Sequence, residues 1–237
     1  MPYRFESSLN LAVEDLKGQP GIDGILFFGS AQTGTAGPTS DLDLYVILGD
    51  PQAQPQISLR RYAGIDAEVH LAPAGWWRDR IEAGKAVIVH AFATGEGLVD
   101  TSGAVAELAD QARARLREGP PALSQFEIDR WRYRLADLSD DLEDVAGQPA
   151  DERLLGAMVA HHCLEAYCEL HQLWGDKPKR LISYVERHDP ELGRMARVFF
   201  AGDLDRHLAQ RMVERVLAPF GGALGVWETE GNERGTP

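Results

Sequence analysis

Between residues 28 and 44 the sequence reads Phe28-Gly29-Ser30, ten residues of loop, then Asp41-Leu42-Asp43-Leu44. Residues two apart on a strand share a face, so Asp41 and Asp43 project together while Leu42 and Leu44 turn into a core. Two carboxylates on one face suit a hard divalent cation, and Mg²⁺ keeps water and substrate phosphate oxygens among its ligands. A two-metal centre needs a third carboxylate. Asp66 and Glu68 both offer one from a later strand, again sharing a face. Glu68, flanked by Ala67 and Val69 deeper in that strand, is the favoured ligand, whereas Asp66 beside the Gly64 turn reads as solvated. Upstream, the missing side chain of Gly29 lets backbone amides and the Ser30 hydroxyl approach a polyphosphate closely. A solvated strand edge would also carry Asp-x-Asp, but the Gly-Ser before it and the third acid after it weigh for a metal site.

The elements that must position these groups follow from periodicity. A helix over Phe5 to Lys17 is stopped by Gly18 and Pro20, and Gly24 to Phe28 reads as a short buried strand. Gly29 to Ser40 is expected to be loop, with a strand resuming over Asp41 to Leu48. Ile57 to Tyr62 and Ile65 to Leu71 read as a strand pair around Gly64, the second alternating apolar residues with Asp66, Glu68 and His70. The later chain is helical. Ser124 with Glu127 forms a capping-box pattern, and Ile128, Trp131, Leu135, Leu138, Leu142 and Val145 recur at helical spacing. Further helices are expected over Asp151 to Trp174, Pro178 to Arg187, Pro190 to Phe200 and Asp203 to Leu217. The fold class is therefore α+β: an N-terminal α/β domain with a mixed sheet over residues 1–103, an all-α helical bundle over 104–220, and a polar tail over 221–237 in which Trp227 is the one anchor.

The Gly29-Ser30, loop, Asp41-x-Asp43 pattern resembles the nucleotidyltransferase superfamily of the polymerase-beta type. The α/β-then-helical layout is similar to its small bacterial members, antibiotic adenylyltransferases among them. The resemblance implies that Gly29 and Ser30 hold a nucleotide triphosphate, that Asp41 and Asp43 bind Mg²⁺, and that Glu68 or Asp66 completes the site. It implies in-line attack of an acceptor hydroxyl on the α-phosphate of ATP with pyrophosphate leaving, and Glu68 or the helical-domain Glu165 as base. Some members carry a lysine after a proline that reaches the triphosphate, and Pro178-Lys179 looks similar, although a solvated basic turn would read the same way.

Composition limits the partners. The chain has 237 residues, and 24 basic against 37 acidic side chains give a formal charge of −13. That charge repels nucleic-acid backbones and anionic lipid, so neither duplex nucleic acid nor membrane is expected, and a cationic acceptor is favoured. No apolar run approaches the ~20 residues of a membrane span, no signal core opens the chain, and a cytoplasmic location is expected. Cys163 and Cys168 are the only cysteines and, on a helix, point apart. His161, His162, Cys163 and Glu165 suggest metal ligands, but only His161 and Glu165 are expected to share a face, and packing is the preferred explanation. Trp76-Trp77 is expected to bury against the neighbouring domain rather than stack on a substrate. The Ile128 to Val145 stripe can form a homodimer seam or, by default, the bundle's own core.

Three functions are compatible with this sequence. The leading one is transfer to a hydroxyl of a small-molecule acceptor of the aminoglycoside type, with acids such as Asp137, Asp140, Asp141, Asp144, Glu165 and Glu169 lining an inter-domain cleft. The second is adenylylation of a protein partner, as in antitoxin-like members. The third is a non-catalytic nucleotide-binding scaffold, which three acidic metal positions argue against.

Overall fold

The computed structural model describes residues 3–202 and 205–228 and divides into two compact units, Met1–Pro120 and Pro121–Pro237. The first unit is built on a five-stranded mixed sheet. In chain order it contains α1 (Tyr3–Lys17), β1 (Ile22–Phe28), α2 (Gly29–Thr33), β2 (Leu42–Leu48), β3 (Gln56–Tyr62), β4 (Ile65–Pro73), α3 (Ala74–Glu82), α4 (Ala86–Thr94), β5 (Glu96–Asp100) and α5 (Ala104–Glu118). The strand order is β3-β4-β2-β1-β5, with β2 and β4 parallel and the other neighbours antiparallel.

Strand alternation gives the sheet two different faces. Leu42, Leu44 and Val46 of β2, with Ala67, Val69 and Leu71 of β4, pack with Phe5, Leu9, Ala12 and Leu16 of α1. The opposite face carries Asp43 and Tyr45 on β2 and Glu68 and His70 on β4. There Tyr45 stacks on Trp77 of α3 with centroids 4.3 Å apart and lies 5.7 Å from Phe92 of α4. The β3–β4 hairpin closes through Ala63 and Gly64, both at positive φ (47° and 85°), the geometry a tight two-residue turn requires.

Two expectations change here. The domain boundary moves from 103 to 120 because α5 belongs to the sheet unit. Val105 of α5 sits so close to β1 that a Cβ added at Gly24 would overlap it, and the Asp100 carboxylate accepts from the Val105 and Ala106 amides at 3.1 and 3.0 Å. Trp77 is buried within its own unit, its indole donating to the Ala72 carbonyl at 3.1 Å, and Arg80 stacks over Trp76 at 3.7 Å.

The second unit is helical: α6 (Gln125–Asp144), α7 (Pro149–Leu170), α8 (Pro178–His188), α9 (Pro190–Ala201) and α10 (Arg206–Leu217), then a short 3₁₀ turn (Ala218–Phe220). The Ser124–Glu127 capping box is present. Trp131, Leu135 and Leu142 are buried in the unit's core with Ile128, Leu138 and Val145 packed against it, so the stripe serves as the bundle's own core, its default role. Cys163 and Cys168 are free and buried, and burial pushes the Cys168 thiol up to about 12. Of the expected tail, Trp227 packs on Phe126 at 4.9 Å. Residues 229–237 and the first two residues of the helix expected from Asp203 lie outside the described residues. No helix among the described residues is long and apolar enough to cross a membrane.

Candidate active site

Parallel pairing of β2 and β4 sets Asp43 directly beside Glu68. Asp41 stands one residue before β2, and one carboxylate oxygen from each of Asp41, Asp43 and Glu68 lies within 4.8 Å of the others. All three are partly exposed at the end of the sheet, where ions and substrate can reach them. Their donor set is entirely oxygen and anionic, which fits Mg²⁺ rather than a softer metal.

The chain leaves β1 at Phe28, opposite Asp43 in the β1–β2 ladder, and turns through Gly29 at φ +84°. A Cβ at Gly29 would overlap the Asp43 carboxylate, whose Cγ would be 2.7 Å away. Gly29 is therefore required by the Asp43 carboxylate as well as by the turn, a contact between two conspicuous residues that their spacing did not reveal. The segment expected as pure loop begins with α2: Ala31 is buried, Thr33 Oγ1 donates to the Gly29 carbonyl at 3.2 Å, and Gly34 at φ +77° ends the turn. Ser30 Oγ donates to Ser40 Oγ at 3.1 Å, and Ser40 Oγ accepts from the Gly37 amide at 2.9 Å, folding the rest of the loop back towards Asp41.

Asp66 and Glu68 separate cleanly. Asp66 is held bidentate by Arg61, its cross-strand neighbour on β3, at 2.5 and 3.0 Å, and this pairing keeps its carboxyl below the usual carboxylate range. Glu68 instead accepts from His70 Nε2 at 2.8 Å and keeps company with Asp41 and Asp43. Behind them Tyr45 meets His70 edge-on at 5.5 Å and Phe28 at 4.2 Å. Burial pushes the Tyr45 phenol up, and the Asp43 and Glu68 charges push it further. On the same face of the edge strand β3, Ile57 and Leu59 stand opposite His70 and Glu68, 68% and 79% exposed.

The remaining expected residues lie in the second unit. Lys179 is exposed in the first turn of α8, and its neighbour Arg180 is engaged by Asp176 at 2.9 and 2.7 Å. Glu165 is not a solitary carboxylate. Its Oε2 lies 2.9 Å from His162 Nδ1 and 3.5 Å from His161 Nδ1, so both histidines share its flank, contrary to the reading that only His161 does. The i,i+3 and i,i+4 spacings each bring a side chain beside residue i on a helix surface. Asp137, Asp140, Asp141 and Asp144 are exposed on α6, while Glu169 accepts from the Trp131 indole at 2.7 Å.

Residues 8–74 match the family model of the nucleotidyltransferase domain. This span is a nucleotidyltransferase domain. The matched span of the nucleotidyltransferase domain runs from α1 to the start of α3 and contains Gly29, Ser30, Asp41, Asp43 and Glu68. A solved nucleotidyltransferase-like protein from Exiguobacterium sibiricum superposes with a TM-score of 0.52 at 15% identity, over 91% of this chain and 75% of its own. That likeness concerns fold, and it extends into the helical unit. No curated protein matches the chain significantly.

Proposed function

We propose that this nucleotidyltransferase moves AMP from ATP to a hydroxyl of a small-molecule acceptor, in a Mg²⁺-dependent reaction in the cytoplasm. The observation that carries the reading is the convergence of Asp41, Asp43 and Glu68 beside Gly29. Asp41 and Asp43 would hold Mg²⁺ together with the triphosphate, and Glu68 would complete the ligand set. When bound, Mg²⁺ neutralises the charge on the transferring and leaving phosphates and eases deprotonation of the attacking hydroxyl. The chain's own work is positioning. Gly29 admits the Asp43 carboxylate, Ser30 offers a hydroxyl to a phosphate oxygen, and His70 fixes one oxygen of Glu68 so that the other is free to turn towards its partners. An acceptor of the aminoglycoside type fits the exposed acids on α6 by charge alone.

A second reading, adenylylation of a protein, is favoured by one observation: Ile57 and Leu59 present an exposed apolar pair on the face that carries Glu68, and such patches commonly mark protein contacts. ATP labelled on the α- or the γ-phosphate, incubated with Mg²⁺, an aminoglycoside panel and cell lysate, tests both. Small-molecule products carrying only the α-label support the main reading and a labelled protein band the second. Transfer of the γ-label contradicts nucleotidyl transfer altogether.

A further inference from the structure

The helical unit holds a second convergence of ligand atoms with different chemistry. His161, His162 and Glu165 of α7 each bring one donor atom within 4.8 Å of the others. Glu165 Oε2 stands 2.9 and 3.5 Å from the two Nδ1 atoms. Zinc-type bonds of about 2.1 Å in tetrahedral geometry place neighbouring donors about 3.4 Å apart, and these two separations bracket that spacing. The side chains are 39%, 16% and 40% exposed, so an ion can enter and water can take the remaining position.

We propose that His161, His162 and Glu165 form a binding site for a divalent transition metal of the zinc class, separate in donor type from the all-carboxylate Mg²⁺ set. Two imidazoles and one carboxylate suit Zn²⁺, Co²⁺ or Ni²⁺ and match poorly the all-oxygen preference of Mg²⁺.

Arg134 of α6 governs access. Its Nη2 lies 3.1 Å from His162 Nε2, and a guanidinium can only donate. Nε2 is therefore the acceptor, and Nδ1 carries the proton donated to Glu165. For His162 to ligate through Nδ1, that proton moves to Nε2 with no net change, and Arg134 has to withdraw. Arg134 is exposed, and besides this bond its guanidinium lies over the Trp131 ring at 5.6 Å. Guanidinium and metal are thus alternative partners of one imidazole.

The test is a Co²⁺ titration of the full-length, metal-stripped chain, followed by visible d–d absorption. We expect saturable binding displaced by Zn²⁺ and untouched by millimolar Mg²⁺, weakened about tenfold or more by His161→Ala and by Glu165→Gln. Arg134→Ala should tighten it severalfold, which a role for Arg134 in mere helix packing does not predict. Asp43→Asn should leave it unchanged. Absence of binding in both the wild type and Arg134→Ala, binding indifferent to His161→Ala and Glu165→Gln, or intense sulfur-to-cobalt charge-transfer bands would each overturn the proposal.

Discussion

Gly29 and Asp43 make one structural unit although thirteen residues separate them. Because a Cβ at Gly29 would overlap the Asp43 carboxylate and the backbone there has φ +84°, Gly29→Ala should displace Asp43 and strain the turn together. We expect it to reduce transfer by orders of magnitude. Ser30→Ala should cost only about 1 kcal/mol of nucleotide affinity, one hydroxyl contact. Equal effects in a kinetic comparison would remove the special role of Gly29. At the same scale, Glu68→Gln should abolish transfer while Asp66→Asn leaves it within about twofold, since Asp66 is committed to Arg61 and stands outside the cluster. Loss of activity in Asp66→Asn with retention in Glu68→Gln would reverse the assignment. The types and spacing of Asp41, Asp43 and Glu68 were legible in the sequence. The contact of Gly29 with Asp43 and the hold of His70 on Glu68 were not, because both depend on strand register and turn geometry that residue types do not encode.

At the scale of elements, the strand and helix order was legible wherever periodicity and caps agreed, as in the β3–β4 hairpin and in α6 behind its Ser124–Glu127 box. The failures share a cause. α5 is amphipathic like the bundle helices that follow it, and its packing against α3, α4 and β1, with the Asp100 tie and the Arg78–Glu107 ion pair, assigns it to the sheet unit. α2 is too short for periodicity to register. Asp189 illustrates a helix start that carries measurable stability: it caps α9 through the Glu191 and Leu192 amides at 3.1 and 3.0 Å and receives Arg215 of α10 at 2.9 and 2.8 Å. Burial pushes its carboxyl up, but Arg215 and the amides outweigh this and leave it lowered. A lowered carboxyl contributes fully above its unfolded value, about 3.9, and loses that contribution as pH falls through the folded one. Asp189→Ala should therefore cost about 2 kcal/mol in neutral denaturant titrations, with the gap to wild type narrowing below about pH 4. A gap of constant size down to about pH 2 would contradict the ion pair.

For the whole molecule, a formal charge of −13 and three clustered carboxylates both oppose an unaccompanied triphosphate. The central claim is that Asp41, Asp43 and Glu68 act as a metal-dependent nucleotide site, and it is tested without knowing the acceptor. Calorimetric titration of ATP into the full chain, in Mg²⁺ and again in EDTA, measures it directly. The account predicts binding at least about tenfold tighter with Mg²⁺, because the cation relieves mutual repulsion among the carboxylates and the triphosphate, with that advantage lost in Asp43→Asn. Equal affinity in EDTA, or an Mg²⁺ advantage that survives Asp43→Asn, would contradict it.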